Sequence, residues 1–323
     1  MIITLKDEIL NILCLSEEFV SGAELANRLL VSRNAIWKAV KELCAAGYDI
    51  ETARRRGYRL SKQNKKVFTA QLKRFCKEFD IVLLESTDST NAYAKKLADS
   101  GAREGTVVLA LSQRSGRGRL RRSFFSPEGG VYMSVVLRPS LSPEKVTLIT
   151  VAAAVAAAKT VDEFSGKRSG IKWVNDIFID SRKVCGILTE GSFGAEAGTL
   201  DYAVLGIGSN LCGSICELPE EIRDTAGFIT DKEFTSLLYS RFVGTLLTEF
   251  FSIYKDIESK NFIEEYRNRC VLIGKEVTFV KDGVSHNAVV IGIDDDARLC
   301  VRENDTDLKL DSGEVSVKWK KTV

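Results

Sequence analysis

Leu5, Ile9, Ile12 and Leu13 recur three or four positions apart, the spacing that lines one face of a helix. The string that follows, SGAELANRLLVSRNAIWKAVKEL, predicts two short helices with a tight turn at Val31 and Ser32. In the second, Ile36, Val40 and Leu43 fall at i, i+4 and i+7 and turn inward, leaving Arg33, Asn34, Trp37, Lys38 and Lys41 on the other faces. Past Gly47, YDIE and YRLS read as strands around ARRRG. Residues 1–62 therefore predict a winged helix-turn-helix.

From 66 to 269 strand-like runs alternate with helical ones. IVLLES, TVVLAL, VYMSVVLRP, DIFID, KVCGILTE and YAVLGIGSNL predict strands, the last four as hairpin-like neighbours, so the sheet is expected to be mixed and mostly antiparallel. Ser142 with Pro143 predicts the start of a long helix through TLITVAAAVAAAKTVDEF, whose alanines permit close packing on that sheet. DKEFTSLLYSRFVGTLLTEFFSIYK predicts another. From 270 to 323, short alternating strands with Asp-Gly and Asp/Arg turns, ending in EVSVKWK, predict a small β-barrel. The fold class read from this pattern is α+β.

Composition narrows the chemistry. A length of 323 residues favours two or three domains, and 45% hydrophobic with 28% charged residues fits a globular protein. The eight cysteines are scattered, and the one close pair, Cys212 and Cys216, lacks a second pair or a nearby histidine, so they read as reduced thiols of a cytoplasmic protein. No apolar run reaches the ~18 residues that span a bilayer. The single histidine, His286, falls in the C-terminal segment as a structural or solvent-facing residue. Ser/His/Asp and Cys/His catalysis and His-rich zinc sites are thereby excluded; carboxylate acid–base work remains, as does positioning with positive charge, which suits phosphate chemistry.

The net charge is only +2, yet residues 28–62 hold nine Lys/Arg against three acids. A three-helix packing adaptor would explain that basic face, but nucleic acid explains it better. Arg54, Arg55 and Arg56 at the turn suit phosphate or the minor groove; Arg33, Asn34 and Lys38 suit base edges.

Two further stretches carry chemistry. RSGRGRLRR, 114–122, packs five arginines and two glycines into nine residues. Such a loop repels itself until an anion gathers it, and its glycines allow backbone N–H groups to approach a ligand. IKWVNDIFIDSRKVCGILTEG sets Lys172, Asn175 and Asp176 before a hairpin and Lys183 just after its turn, beside Gly186. A lysine there reaches an α-phosphate, and losing such a preorganised donor typically costs ~100- to 1,000-fold in rate.

STDSTN, GRGR…FFSPEGGVYMSVVLRP, KWVNDIFI, RKVCGIL and GIGSNL resemble, in order and spacing, the biotin protein ligases, specifically the bacterial class whose N-terminal winged helix doubles as the biotin operon repressor. The resemblance covers nearly the whole chain. It implies a winged helix at 1–62, a class II synthetase-like ligase domain at 66–269 and an SH3-like barrel at 270–323. It further implies that Ser89, Thr90 and Gln113 hydrogen-bond the biotin ureido ring, that Gly116 and Arg117 close over its tail, and that Gly186 lies beside it. Arg119 would retain the adenylate, and Lys183 would hold the carboxylate and α-phosphate. Arg121, Arg122, Phe124, Lys172, Asn175 and Asn210 fall to ATP or adenylate, with Asn175 on the adenine, Phe124 packing on the adenylate, and Gly206, Gly208 and Asn210 in a flanking strand. Asp176 would order the phosphates and, indirectly, Mg²⁺. Trp37 joins the DNA-facing set. Two positions depart from the pattern: Val174 replaces a proline, losing that ring's backbone constraint, and Leu120 and Arg121 replace a basic-then-glycine pair.

The activity so implied is formation of biotinyl-5'-AMP from biotin and ATP, then transfer of biotin to a lysine of a biotin carboxyl carrier protein. The adenylate is also implied as corepressor, promoting a homodimer on biotin operator DNA. The alternatives are a biotin-sensing repressor without turnover, a lipoate or other acyl ligase of the same architecture, and a nonspecific DNA-binding enzyme.

Overall fold

The computed structural model of the chain describes residues 4–193, 200–281, 283–311 and 315–317, the side chains of Arg121, Glu144 and 315–317 excepted. Of the expected final strand EVSVKWK only 315–317 lies among them. The chain forms two compact units, Met1–Leu83 with Lys232–Thr245, and Leu84–Asp231 with Leu246–Val323.

In the first unit, helices α1 (Leu5–Leu15), α2 (Gly22–Leu29) and α3 (Arg33–Ala45) precede a hairpin, β1 (Ile50–Ala53) and β2 (Gly57–Leu60), and a short helix, α4 (Thr69–Phe75). Each of the first three helices starts on a hydroxyl cap: Thr4, Ser21 and Ser32 accept from the N–H groups of Asp7, Glu24 and Ala35. Ile9, Leu13, Leu25, Ile36, Val40 and Leu43 form the core, as the helical spacing predicted for α1 and α3. Gly57, at φ +107°, is where the wing meets the chain before α2; a Cβ there would lie 2.1 Å from the Val20 carbonyl oxygen.

The second sheet runs through strands β3 (Asp80–Thr87), β4 (Thr106–Gln113), β5 (Val131–Leu137), β6 (Gly170–Lys172), β7 (Asp176–Ile179), β8 (Arg182–Phe193) and β9 (Leu200–Ser209), in the spatial order β3-β4-β5-β9-β8-β7-β6. Every expected strand is present, and β6 is an addition: three residues are too few to show a period. The expected hairpin adjacency needs correction. β5 pairs with β9, whereas β7 pairs with β6 and β8, because α6 (Val146–Ser165) intervenes between β5 and β6 and carries the chain past the sheet. Helix α5 (Thr90–Asp99) lies between β3 and β4 in sequence.

Helix starts also shift. Pro143–Lys145 forms a single 3₁₀ turn, Ser142 makes no side-chain cap, and α6 begins at Val146. Its middle is buried all round, and Thr150 donates to Thr189 on β8 (2.7 Å). After α7 (Glu220–Arg223), helix α8 (Ser236–Tyr254) starts five residues later than Asp231: Thr235 caps it by accepting the Leu238 N–H (3.1 Å), and the Ser236 N–H donates to the Asn64 carbonyl (2.8 Å). Helix α9 (Ile263–Arg269) leads to five antiparallel strands, β10 (Glu276–Lys281), β11 (Val284–Ile293), β12 (Leu299–Glu303), β13 (Thr306–Leu310) and β14 (Val315–Val317), ordered β13-β12-β11-β10-β14. His286 is structural there: its ring stacks on Phe279 (5.2 Å) and Nδ1 lies 3.0 Å from a Glu303 oxygen. Among the described residues no helix is long and apolar enough to cross a membrane, and all eight cysteines are free.

Candidate active site

A cavity in the second unit opens between the arginine-rich loop and strands β4, β5, β8 and β9. Its walls bring together Ser89, Thr90 and Gln113 with Arg117, Arg119 and Arg122. The same walls carry Phe124, Lys172, Asn175, Asp176, Lys183 and Gly186. Gly116 and Asn210 lie instead in an adjoining groove that shares Gln113, Phe124, Asp176 and Lys183 with the cavity. The Arg121 side chain lies outside the described residues.

One end of the cavity is polar and fixed. Ser89 is the N-cap of α5, accepting from the Ala92 N–H. The Thr90 N–H donates to Gln113 Oε1 (2.8 Å), Thr90 Oγ1 lies 3.1 Å from the same oxygen, and Gln113 Nε2 donates to Ser126 Oγ (3.0 Å). The amide of Gln113 is thus held by two elements, α5 and the end of the arginine loop.

The loop is closed by its own main chain. The Phe124 N–H donates to the Gly116 carbonyl (2.9 Å), Gly118 N–H to Arg122 (2.8 Å) and Arg122 N–H to Arg119 (3.1 Å). At Gly116 a Cβ would fall 2.3 Å from the Phe124 carbonyl oxygen, so this glycine serves the loop's closure as much as any ligand; at Gly118 the nearest atom is 3.5 Å away. Arg119 Nη1 donates to Asn175 Oδ1 (3.2 Å), and Asn175 Nδ2 to the Ile187 carbonyl (2.8 Å), joining the loop to the turn before β7.

At the other end, the Lys183 ammonium sits 2.7 Å from Asp176 Oδ1 and 5.8 Å from the centre of the Phe124 ring. Phe124 packs on two glycines: a Cβ at Gly208 would be 2.6 Å from its ring and one at Gly186 3.2 Å. Gly206 does not flank that ring; its absent Cβ makes room for Asn91, whose Oδ1 would be 2.1 Å away. Behind the motif, Trp173 Nε1 donates to the Ala297 carbonyl (2.9 Å) and Tyr266 OH to the Val174 carbonyl (3.1 Å), so Val174 is fixed by its neighbours where a proline was expected; the Trp173–Val174 peptide is cis. Burial pushes the nearby Cys185 thiol up to about 12, against a hydrogen bond with Ser209 and the charge of Lys183, which keeps it protonated and unfit as a nucleophile.

The sequence reading missed Asn91, Ser134, Glu190, Trp173 and Tyr266. Glu190 had a signal: it shares the strand parity of Gly186 and Leu188 and is an acid in an apolar strand. Asn91 closes the STDSTN string. Tyr266 had none, since only the fold brings α9 to Val174.

The expected DNA-facing residues are exposed. Arg33, Asn34, Trp37 and Lys38 project from α3, and Arg54, Arg55 and Arg56 from the β1–β2 turn. Arg56 already stacks on Phe19 (4.5 Å) and pairs with Glu18 (3.6 Å).

The family model for the biotin/lipoate A/B protein ligase family matches residues 83–210; those for an HTH domain and for a biotin protein ligase C terminal domain match 6–59 and 272–318. The bifunctional ligase/repressor BirA of Bacillus subtilis (strain 168) is 32% identical over 309 residues, covering 93% of this chain and 94% of that protein. The chain belongs to the biotin/lipoate A/B protein ligase family. Within that family, BirA of Escherichia coli (strain K12) is 29% identical over 60% of each chain. The biotin protein ligase from Aquifex aeolicus in complex with biotin and ATP shares the fold, with a TM-score of 0.60 at 24% identity over 75% of this chain and 99% of that one.

Proposed function

We propose that this family member is a bifunctional biotin protein ligase and repressor. It activates biotin with ATP to biotinyl-5'-AMP and passes biotin to a lysine of a biotin carboxyl carrier protein; its N-terminal unit binds DNA as a repressor. The observation that carries this reading is one cavity with hydrogen-bonding groups for a polar ring at one end, Thr90 and Gln113, and a lysine for a carboxylate and phosphate at the other, Lys183.

The chemistry follows from charge and position. A carboxylate oxygen of biotin attacks the α-phosphorus of ATP, the bond to pyrophosphate breaks, and a mixed anhydride remains. Bringing these anions together is opposed by their repulsion, which Arg117, Arg119, Arg122 and Lys183 offset in a partly dry site. Lys183 exchanges Asp176 for the reacting oxygens. Asn175, steered by Arg119 and Ile187, faces the adenine, beside Phe124 and Lys172. Asp176 Oδ1 is buried with no hydrogen bond beyond its ion pair with Lys183, and one carboxylate beside substrate phosphates suits Mg²⁺, which when bound neutralises phosphate charge. The carrier amine then attacks the acyl carbon and AMP leaves. No step needs histidine.

The division into 1–62, 66–269 and 270–323 assigns DNA contact to Arg33, Asn34, Trp37, Lys38 and the 54–56 turn, and catalysis to the middle segment. Biotinyl-5'-AMP acts as corepressor by promoting a homodimer that presents two α3 helices to a two-fold biotin operator, in the cytoplasm.

The test is incubation of the full chain with ATP, Mg²⁺, biotin and a carrier domain, read by intact mass of the carrier. Gain of one biotinyl group is expected; an unmodified carrier and no biotin-dependent pyrophosphate release overturn the reading. Sedimentation with and without biotin plus ATP checks the dimer, and constant mass counts against it.

A further inference from the structure

Beneath the polar end of the cavity runs a chain of side chains from three elements, Thr90, Asn91 and Lys95 on α5, Ser134 on β5 and Glu190 on β8, buried at Thr90, Asn91 and Ser134 and half-buried at Lys95 and Glu190. Asn91 Nδ2 donates to Glu190 Oε2 (2.8 Å) and to the Leu188 carbonyl (3.3 Å). Both are acceptors only, so the orientation of the Asn91 amide is fixed and its Oδ1 faces Ser134 Oγ at 2.6 Å. Ser134 also lies 2.8 Å from Thr90 Oγ1. Ser134 is fully buried and Asn91 and Thr90 are nearly so, so beneath the cavity these groups find their partners mainly in one another.

Counting hydrogens sets the direction of the chain. Ser134 has one hydrogen, and Asn91 Oδ1 has none to offer, so Ser134 donates to Asn91. The Thr90 hydrogen then has two acceptors in reach, Ser134 Oγ at 2.8 Å and Gln113 Oε1 at 3.1 Å, and the shorter, buried contact takes it. Thr90 donates inward to Ser134, Ser134 to Asn91, and Asn91 to Glu190. With its hydrogen turned to Ser134, Thr90 Oγ1 is left facing Gln113 Oε1 at 3.1 Å with no hydroxyl hydrogen for that contact. Both line the cavity as acceptors, and a ligand carrying N–H groups relieves their repulsion.

We infer that Glu190, acting through Asn91 and Ser134, is a positioning residue that sets the polarity of the Thr90 hydroxyl and so makes the ligase select a ligand with ring N–H donors, such as a cyclic urea. The assignment rests on the biotin reading above and deepens it. Glu190 is suited to end such a chain: burial works against its charge, but hydrogen bonds from Lys95 and Asn91 and the nearby charges of Lys95 and Arg117 bring its pKa below the usual carboxylate value. The close fit of Asn91 under Gly206 prevents its side chain from swinging elsewhere.

The experiment compares kcat/KM for pyrophosphate release with biotin and with its cyclic carbonate analogue, in which both ureido N–H groups are oxygen. In Glu190→Gln the new amide can donate to Asn91 Oδ1, which flips the Asn91 amide and reverses the chain. The preference for biotin over the carbonate is expected to fall by about 10- to 100-fold, mostly through KM for biotin. The double variant Asn91→Asp with Glu190→Gln restores the wild-type direction, because the carboxylate introduced on α5 accepts both from the new amide on β8 and from Ser134; the preference is expected to return. Ser134→Ala, which removes the receiver of the Thr90 hydrogen with little change in volume, is expected to lower the preference as well and serves if Glu190→Gln does not fold. An unchanged preference in the folded single variants, or a loss that the double variant does not restore, overturns the inference while leaving the ligase reading intact. A wild-type chain that activates neither compound overturns the ligase reading itself.

Discussion

The Lys183 ammonium is held 2.7 Å from Asp176 Oδ1, on neighbouring strands, at the point where Phe124 closes the cavity. The pair is a poised arrangement: the lysine is held in place by a carboxylate that a substrate anion can replace. Lys183→Ala removes the donor that meets the developing charge and is expected to lower biotin-dependent pyrophosphate release by ~100- to 1,000-fold, with kcat carrying most of the loss. A kcat within a fewfold of wild type, measured at saturating biotin and ATP, would remove Lys183 from the reaction.

Phe124 lies on Gly208 because β9 has no side chain there. A Cβ at Gly208 would meet the ring at 2.6 Å, and the ring is also hemmed by Tyr132 (6.4 Å between centroids) and by the space over Gly186. Gly208→Ala therefore displaces the ring rather than unfolding the strand. The expected outcome is a rise of about tenfold in KM for ATP and faster loss of the bound adenylate, with a thermal midpoint close to wild type, measured by steady-state kinetics and filter retention of labelled adenylate. An unchanged KM would mean the ring's place on β9 is immaterial to the nucleotide.

The C-terminal sheet carries its own pH dependence. Burial disfavours the Asp294 charge, but the backbone N–H groups of Arg298 and Asp296 and the side chains of Lys309 and Arg298 outweigh it and bring the carboxyl down to about 2. The folded value is below the unfolded one, so the stabilisation is present above about pH 4 and is lost as pH falls toward 2. Asp294→Asn is expected to destabilise this sheet by about 1–2 kcal/mol at pH 7, and the gap to wild type should close on acidification to pH 2. Hydrogen exchange of the β10–β13 amides measures it; a gap independent of pH would assign the loss to packing instead.

The sequence revealed most where a local rule governed. The inward spacing of Ile36, Val40 and Leu43 and the turn at Val31 and Ser32 are local, and the first unit followed them. The strings around Arg117, Asn175 and Lys183 named most of the cavity. What could not be read was decided by chain crossing and by distance. The α6 crossover, which separates β5 from β7, leaves no mark on either strand. Thr235, not Asp231, starts α8, because Ser236 bonds Asn64, 172 positions earlier. Glu190 and Asn91 meet across 99 residues, so neither residue's own neighbours announce the pair.

Arg269 tests how far the frame behind the site matters. Its side chain is only 6% exposed, and it donates to Asp162 (2.7 Å), to Glu265 (2.6 Å) and to the Ser169 carbonyl (3.3 Å), tying α9 to α6 and to the residue before β6. Removing the guanidinium strips two carboxylates, Asp162 and Glu265, of the counter-charge they share, which is worse than never having had the pair. Arg269→Leu is expected to cost about 3 kcal/mol, or roughly 6–12 °C in Tm. Because β6 carries Lys172 into the cavity, KM for ATP should also rise at temperatures well below that Tm. The double variant Arg269→Leu with Asp162→Asn removes one of the stranded charges, and it should recover part of the stability; Asp162 also accepts from the Ser169 N–H and hydroxyl (both 2.7 Å), bonds that an asparagine oxygen can keep. Calorimetry of both variants decides: a double variant less stable than Arg269→Leu would mean that the guanidinium contributes by packing and not by charge.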